Sequence, residues 1–91
     1  MDSIDLRLLS VFDEIYKSRS VSAAAAKLGL GQPAVSVALG KLRQHFGNPL
    51  FVRTSQGMEP TPFGEGLVRP VRAALDALDQ VNGHRNEFDP A

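Results

Sequence analysis

GQPAVSVALGKLRQHFG, residues 31–47, decides how the rest of the chain is read. Val35, Leu39, Leu42 and Phe46 recur at spacings of four, three and four, the buried stripe of an α-helix. Pro33 sits near the first turn, where a missing amide costs nothing, and Gly47 with Asn48–Pro49 ends the run. The opposite face carries Gln32, Ser36, Val37, Gly40, Lys41, Arg43 and Gln44. It has two cations and no carboxylate, whereas ordinary solvated helix faces mix both signs. The question is what surface this face meets.

Working outward toward the N-terminus, Val21 to Leu28 forms a short helix with Ser20 as its N-cap and Val21, Ala24, Ala25 and Leu28 on its packing face. Ala23 to Ala26 permit close helix–helix approach. Gly29 takes the position after the helix, where a left-handed backbone is cheap. An earlier helix over residues 4–18 has the stripe Leu8, Leu9, Phe12, Ile15 and Tyr16, with Asp5 in its first turn and Lys17 in its last. A short helix, the turn Gly29–Leu30–Gly31 and a second helix with a polar outer face make a helix-turn-helix.

Toward the C-terminus, LFVRTSQGMEPT (residues 50–61) has two extended runs around Ser55–Gln56–Gly57. This hairpin is a wing beside the helix-turn-helix. In TPFGEGLVRPVRAALDALDQV, Thr61 caps a further helix and Pro62 takes its first turn. Leu67, Val71, Ala74, Leu78 and Val81 follow heptad spacing, with Leu75 beside them. Such a seam either wants a partner helix or packs back on the core. Pro70 is expected to kink or shorten the helix. Residues 82–91 read as a polar, irregular linker. The fold class is therefore mainly α: a three-helix core with a β-hairpin wing, followed by a long helix.

The formal net charge of zero hides segregation. No Asp or Glu lies between Glu14 and Glu59, and that interval holds Lys17, Arg19, Lys27, Lys41, Arg43 and Arg53. The flanking segments are both net acidic. This pattern suits a polyanionic partner for the middle segment, against the plainer alternative of a basic surface with no ligand. A B-DNA major groove admits one α-helix. Gln reads adenine edges, Ser reaches bases or phosphate, and Lys and Arg reach guanine or phosphate. Gly40 lets the backbone lie close to a groove wall, and Pro33 at the helix start favours a nearby phosphate. A protein-interaction module binding an acidic protein is the alternative from another class.

An enzyme is a poor reading. The chain has no Cys, its two His residues are far apart, and no glycine-rich phosphate loop follows a strand. No cofactor is expected in these residues. No apolar run reaches the ~20 residues of a membrane span, and Asp2 and Asp5 stand where a signal peptide would be cationic. The expected location is the cytoplasm, with no membrane partner.

These stretches together resemble the N-terminal DNA-binding region of a LysR-type transcriptional regulator. The markers are DLRLL, SAAAAKLGLGQPAVS, NPLFVRTSQGMEPTPFG and the Pro-containing helix that follows. The wing and the final FDPA look most like the subgroup answering to salicylate-like and nitroaromatic compounds, with nodulation regulators as near neighbours. The resemblance implies a winged helix-turn-helix over 1–60, a linker and dimerisation helix over 61–81, and a hinge over 82–91 toward an effector domain missing here. It implies a double-stranded DNA partner and a homodimer through Leu67, Val71, Ala74, Leu75 and Leu78. A full-length tetramer and a small-molecule inducer held by the missing domain are also implied.

By position, Ser22 matches a hydroxyl that contacts phosphate early in the second helix. Gln32 and Pro33 match the Gln-Pro that opens the recognition helix, and Ser36 matches its Ser. Arg53 and Thr54 match wing residues lying along the DNA backbone or minor groove. The chain departs from the pattern at Gly31, where many relatives have Ser or Thr, at Val37, where several have Arg or Asn, and near Gly40, where a cation is common. Base readout then leans on Gln32, Ser36 and an apolar contact from Val37 to a thymine methyl, with Lys41 nearby and help from DNA bending.

Overall fold

In a computed structural model, which describes residues 3–84, four helices and one hairpin follow in order. They are α1 (Leu6–Ser18), α2 (Val21–Leu28), α3 (Gln32–Phe46), β1 (Phe51–Thr54), β2 (Gly57–Pro60) and α4 (Pro62–His84). The strands pair antiparallel with Phe51 opposite Pro60 and Thr54 opposite Gly57. Ser55 and Gln56 alone form the turn, so Gly57 belongs to the second strand.

Asp5 lies one position outside α1, as its N-cap, and its carboxylate accepts the Leu8 N–H at 2.9 Å. Ser20 caps α2 through the Ala23 N–H at 3.0 Å. Gly29 closes α2 at φ +69°, and the Leu30 N–H returns to the Ala25 carbonyl at 2.9 Å. Gly31 stands at the N-cap of α3 without a side-chain bond.

The core takes Val11, Phe12 and Ile15 from α1, Ala24 and Ala25 from α2, and Val35, Leu39 and Leu42 from α3. Leu50, Phe51 and Met58 bring the hairpin into the same cluster, so the wing is rooted in the core. The Phe12 and Phe51 rings lie 5.2 Å apart. Val35 and Leu42 are fully buried, each contributing about 1.5–3 kcal/mol. The α1 stripe is shifted from the sequence reading: Val11 is buried, whereas Leu8, Leu9 and Tyr16 are half-buried.

Two non-glycine residues adopt left-handed backbone, Arg19 (φ +59°) and Leu50 (φ +67°). Both are held by several partners, as strained positions require. The Arg19 carbonyl accepts the Met58 N–H at 2.9 Å. Its side chain donates to the Tyr16 carbonyl and pairs with Glu59 at 3.2 Å. The Leu50 N–H donates to the Asn48 side chain at 2.8 Å, and its carbonyl accepts the Thr61 N–H at 2.9 Å. The hairpin is thus tied to the α1–α2 turn at one end and to the start of α4 at the other.

α4 runs through Pro70 without interruption and continues past Val81 to His84, correcting the expected shortening. Gly66, four residues before Pro70, loses an amide partner there, but both residues are exposed to water. The remainder of the expected linker lies outside the described residues. The heptad seam divides. Val71 is buried in the chain's own core, with Leu67 and Leu75 packed against it, while Val81 is 66% exposed. Asp13, buried on α1, accepts the Arg72 Nε–H at 2.8 Å and pairs with Lys17 at 3.4 Å. Asp13 holds both cations charged, raising the pKa of each.

Two helical glycines should respond oppositely to alanine. At Gly64 a Cβ would overlap the Leu50 carbonyl, so Gly64→Ala should cost about 1–3 kcal/mol or more. At Gly40 a Cβ meets nothing within 4 Å, so Gly40→Ala should stabilise by about 0.5–1 kcal/mol. Thermal unfolding of the two variants checks the signs.

Candidate nucleic-acid interface

Because Val35, Leu39 and Leu42 are buried, the rotation of α3 about its axis is fixed. Gln32, Pro33, Ser36, Val37, Gly40 and Lys41 consequently face solvent, with Val37 59% exposed. All six were singled out by sequence, and the structure brings them onto one helix face.

That face has two flanks. On the wing side, Ser36, Leu39 and Arg43 of α3 share a groove of about 230 Å³ with Val21, Arg53 and Met58. Ser36 and Arg53, distant in sequence, therefore border one groove. On the α1 side, Ala34, Val37, Ala38 and Lys41 share a groove with Leu30 and with Asp5, Arg7, Leu8 and Val11.

Arg43 is half-buried. Its guanidinium donates to the carbonyls of Pro49, at 2.8 Å, and Phe51, at 3.2 Å. It fastens the end of α3 to the hairpin, which corrects its placement with the outward polar residues. Thr54 is exposed on β1, but its hydroxyl accepts the Gln56 N–H at 3.1 Å and donates to the Gly57 carbonyl at 3.2 Å. The hydroxyl is thus engaged in closing the hairpin turn. Ser22 is exposed beside Ser20, their hydroxyls 3.1 Å apart, and Ser20 alone provides the α2 cap.

The carboxylate-free interval is less basic in space than along the chain. Lys17 pairs with Asp13 and Glu14, and Arg19 with Glu59. Lys27, Lys41 and Arg53 are exposed and form no ion pair among the described residues. Sequence reasoning passed over Leu30 and Ala34, exposed beside Val37. The three-residue step from Ala34 to Val37 on a helix was the available signal.

Behind the site, the Tyr16 hydroxyl donates to Glu65 at 2.7 Å, joining α1 to α4. The Arg19 guanidinium lies 4.9 Å above the same ring. The hydrogen bond to Glu65 raises the Tyr16 pKa above its ordinary 10.0. No group of three or more His, Asp or Glu residues is placed to hold a metal among the described residues, nor does any helix there have the length and apolarity to cross a membrane.

Residues 6–65 match the family described as "Bacterial regulatory helix-turn-helix protein, lysR family". The HTH-type transcriptional activator NahR of Pseudomonas putida is 52% identical over 87 residues, covering 96% of this chain and 29% of that protein. Nodulation protein D 1 of Bradyrhizobium sp. (strain NC92) is 42% identical over 88 residues, covering 97% of this chain and 28% of that protein. The chain thus spans less than a third of these relatives' length. The solved BenM_DBD/catB site 1 DNA complex superposes with a TM-score of 0.82 at 29% identity, covering 88% of this chain and 90% of that one.

The Tyr16–Glu65 contact gives a direct check on how α4 sits against α1. Tyr16 is the sole tyrosine, so ultraviolet titration follows it alone. It should titrate above 10.0, and Glu65→Gln should bring the midpoint down. Because the folded pKa is raised, this contact's stabilisation is present below pH 10.0 and is lost as pH rises through the folded value.

Proposed function

The chain belongs to the lysR family of bacterial regulatory helix-turn-helix proteins, and we propose that it binds double-stranded DNA sequence-specifically as a dimer. In each copy α3 enters the major groove and the hairpin lies along the adjoining backbone. The observation that carries this reading is the outward face of α3, without a carboxylate and bordered by Lys41 and by Arg53 across the wing-side groove. The fold shared with the BenM_DBD chain of a DNA complex supports a DNA partner.

Gln32 and Ser36 supply polar contact to base edges, Pro33 opens the helix beside them, and Gly40 lets the groove wall come close. Val37 adds apolar contact. Lys41 and Arg53 neutralise phosphates, and Ser22 donates to one from the start of α2. Thr54 acts through the hairpin turn it closes, holding Arg53 in place.

Pairing of two copies uses the part of α4 beyond the core: Ala74 and Leu78, half-buried, then exposed Val81, with the accessible edge of Leu75. Val71 is withdrawn from that role because it is already buried within one chain, and Leu67 packs against the same cluster. A 23-residue helix is ~35 Å long, and the molecule extends 53 Å along one axis against 26 and 24 Å along the others. This elongation suits two recognition helices set about one DNA turn or a multiple apart. A small-molecule inducer would be the concern of the whole regulator rather than of these residues.

Titration of a selected palindromic duplex at several salt concentrations tests the reading. Affinity should fall steeply with salt. Arg53→Ala should weaken all sequences similarly and lower the salt slope by about one, while Gln32→Ala should cost about 1–3 kcal/mol and relax preference at one base pair. A flat salt dependence would contradict DNA binding.

A further inference from the structure

The two flanks of α3 differ in chemistry. The wing-side flank is polar, with Ser36 facing Arg53 across a shared groove. The α1-side flank presents Ala34 and Val37, both exposed, with Leu30 at its head, 39% exposed. Leu30, Ala34, Val37 and Ala38 line one side of the α1-side groove of about 220 Å³. Arg7 and Lys41 line that groove as well, as does Asp5, whose carboxylate caps α1. An added Cβ at Gly40 meets nothing within 4 Å, so the helix surface is open at that position too.

We infer that this apolar flank, centred on Val37, is a specificity-determining surface that receives the C5-methyl group of thymine in the major groove. Only thymine among the four bases presents a methyl there, and an alkyl side chain discriminates it by apolar contact where no hydrogen bond is available. The exposure of Val37 leaves area to remove from water, and Leu30 and Ala34 extend the same apolar surface. The outward face of α3 carries Lys41 and no carboxylate, and the Asp5 carboxylate in the groove is engaged as the α1 cap, which commits the occupant to DNA rather than to an apolar peptide. The two flanks then read by different means: hydrogen bonds toward the wing, methyl contact toward α1.

This inference rests on the DNA-binding reading, and its test separates the two. Duplexes selected for tight binding are remade with single thymines replaced by deoxyuridine, which removes only the methyl, and affinities are compared at one salt concentration. The native chain should lose roughly three- to fivefold at one or two thymine positions, the worth of one buried methyl. Val37→Ala should bind the thymine duplex correspondingly less well and lose its sensitivity at those same positions. Exposed Val37 can be replaced without opening a core cavity, and circular dichroism verifies the fold.

Unchanged affinity at every uracil position would overturn the methyl contact while leaving DNA binding intact. So would uracil sensitivity that persists undiminished in Val37→Ala. If no duplex shows salt-dependent, sequence-selective binding, the DNA-binding reading itself fails and this inference goes with it.

Discussion

The burial of Val35, Leu39 and Leu42 is the constraint on which the rest depends. Three side chains on one stripe leave α3 a single orientation about its axis, because turning it would expose them to water. The outward set from Gln32 to Lys41 follows from that orientation. The same core accepts Phe51 and Met58, so the hairpin is anchored by the packing that orients α3. Arg43 then ties α3 to the hairpin through two carbonyls. Ser36 and Arg53 consequently border one groove, although seventeen positions apart in the numbering.

Charge in this chain has two uses. Some cations hold the fold. Arg19 pins the hairpin to the α1–α2 turn, Lys17 shields Asp13 and Glu14, and Arg72 anchors α4 on α1. The exposed Arg19–Glu59 pair contributes little energy by itself. The weight of Arg19–Glu59 and Arg72–Asp13 is geometric, since the first joins the α1–α2 turn to the hairpin and the second joins α4 to α1. The proposed DNA interface is left with Lys41 and Arg53, and Lys27 on the neighbouring helix stands unpaired among the described residues. This modest charge makes the shape and chemistry of the α3 face more important for selectivity.

Local signals were sufficient for α2 and α3. Ser20, Gly29, Pro33 and Gly47 bound helices whose stripes turn inward, with Ala24, Ala25, Val35, Leu39 and Leu42 buried and Val21, Leu28 and Phe46 half-buried at the margins. Features that depend on distant partners were not legible. Asp13 is buried because Arg72, 59 residues away, reaches it. Val71 turns inward because α1 offers it a core, which heptad spacing cannot distinguish from a partner helix. Arg19 and Leu50 take left-handed backbone without glycine, as the hairpin and the α4 start surround them. The outward positions of α3 could be read from the helical period, whereas the engagement of the Thr54 hydroxyl could not, since it depends on the turn Thr54 itself closes.

The central claim is that α3, oriented by its buried stripe, presents its opposite face to DNA. Backbone amide shifts of the isotopically labelled chain, followed during titration with a selected duplex, test it most directly. The account predicts the largest changes along α3 from Gln32 to Lys41, with further changes at Ser22 and Arg53. Changes concentrated instead around Asp13, Asp76 and Asp79 in the groove between α1 and α4, with α3 unmoved, would contradict it.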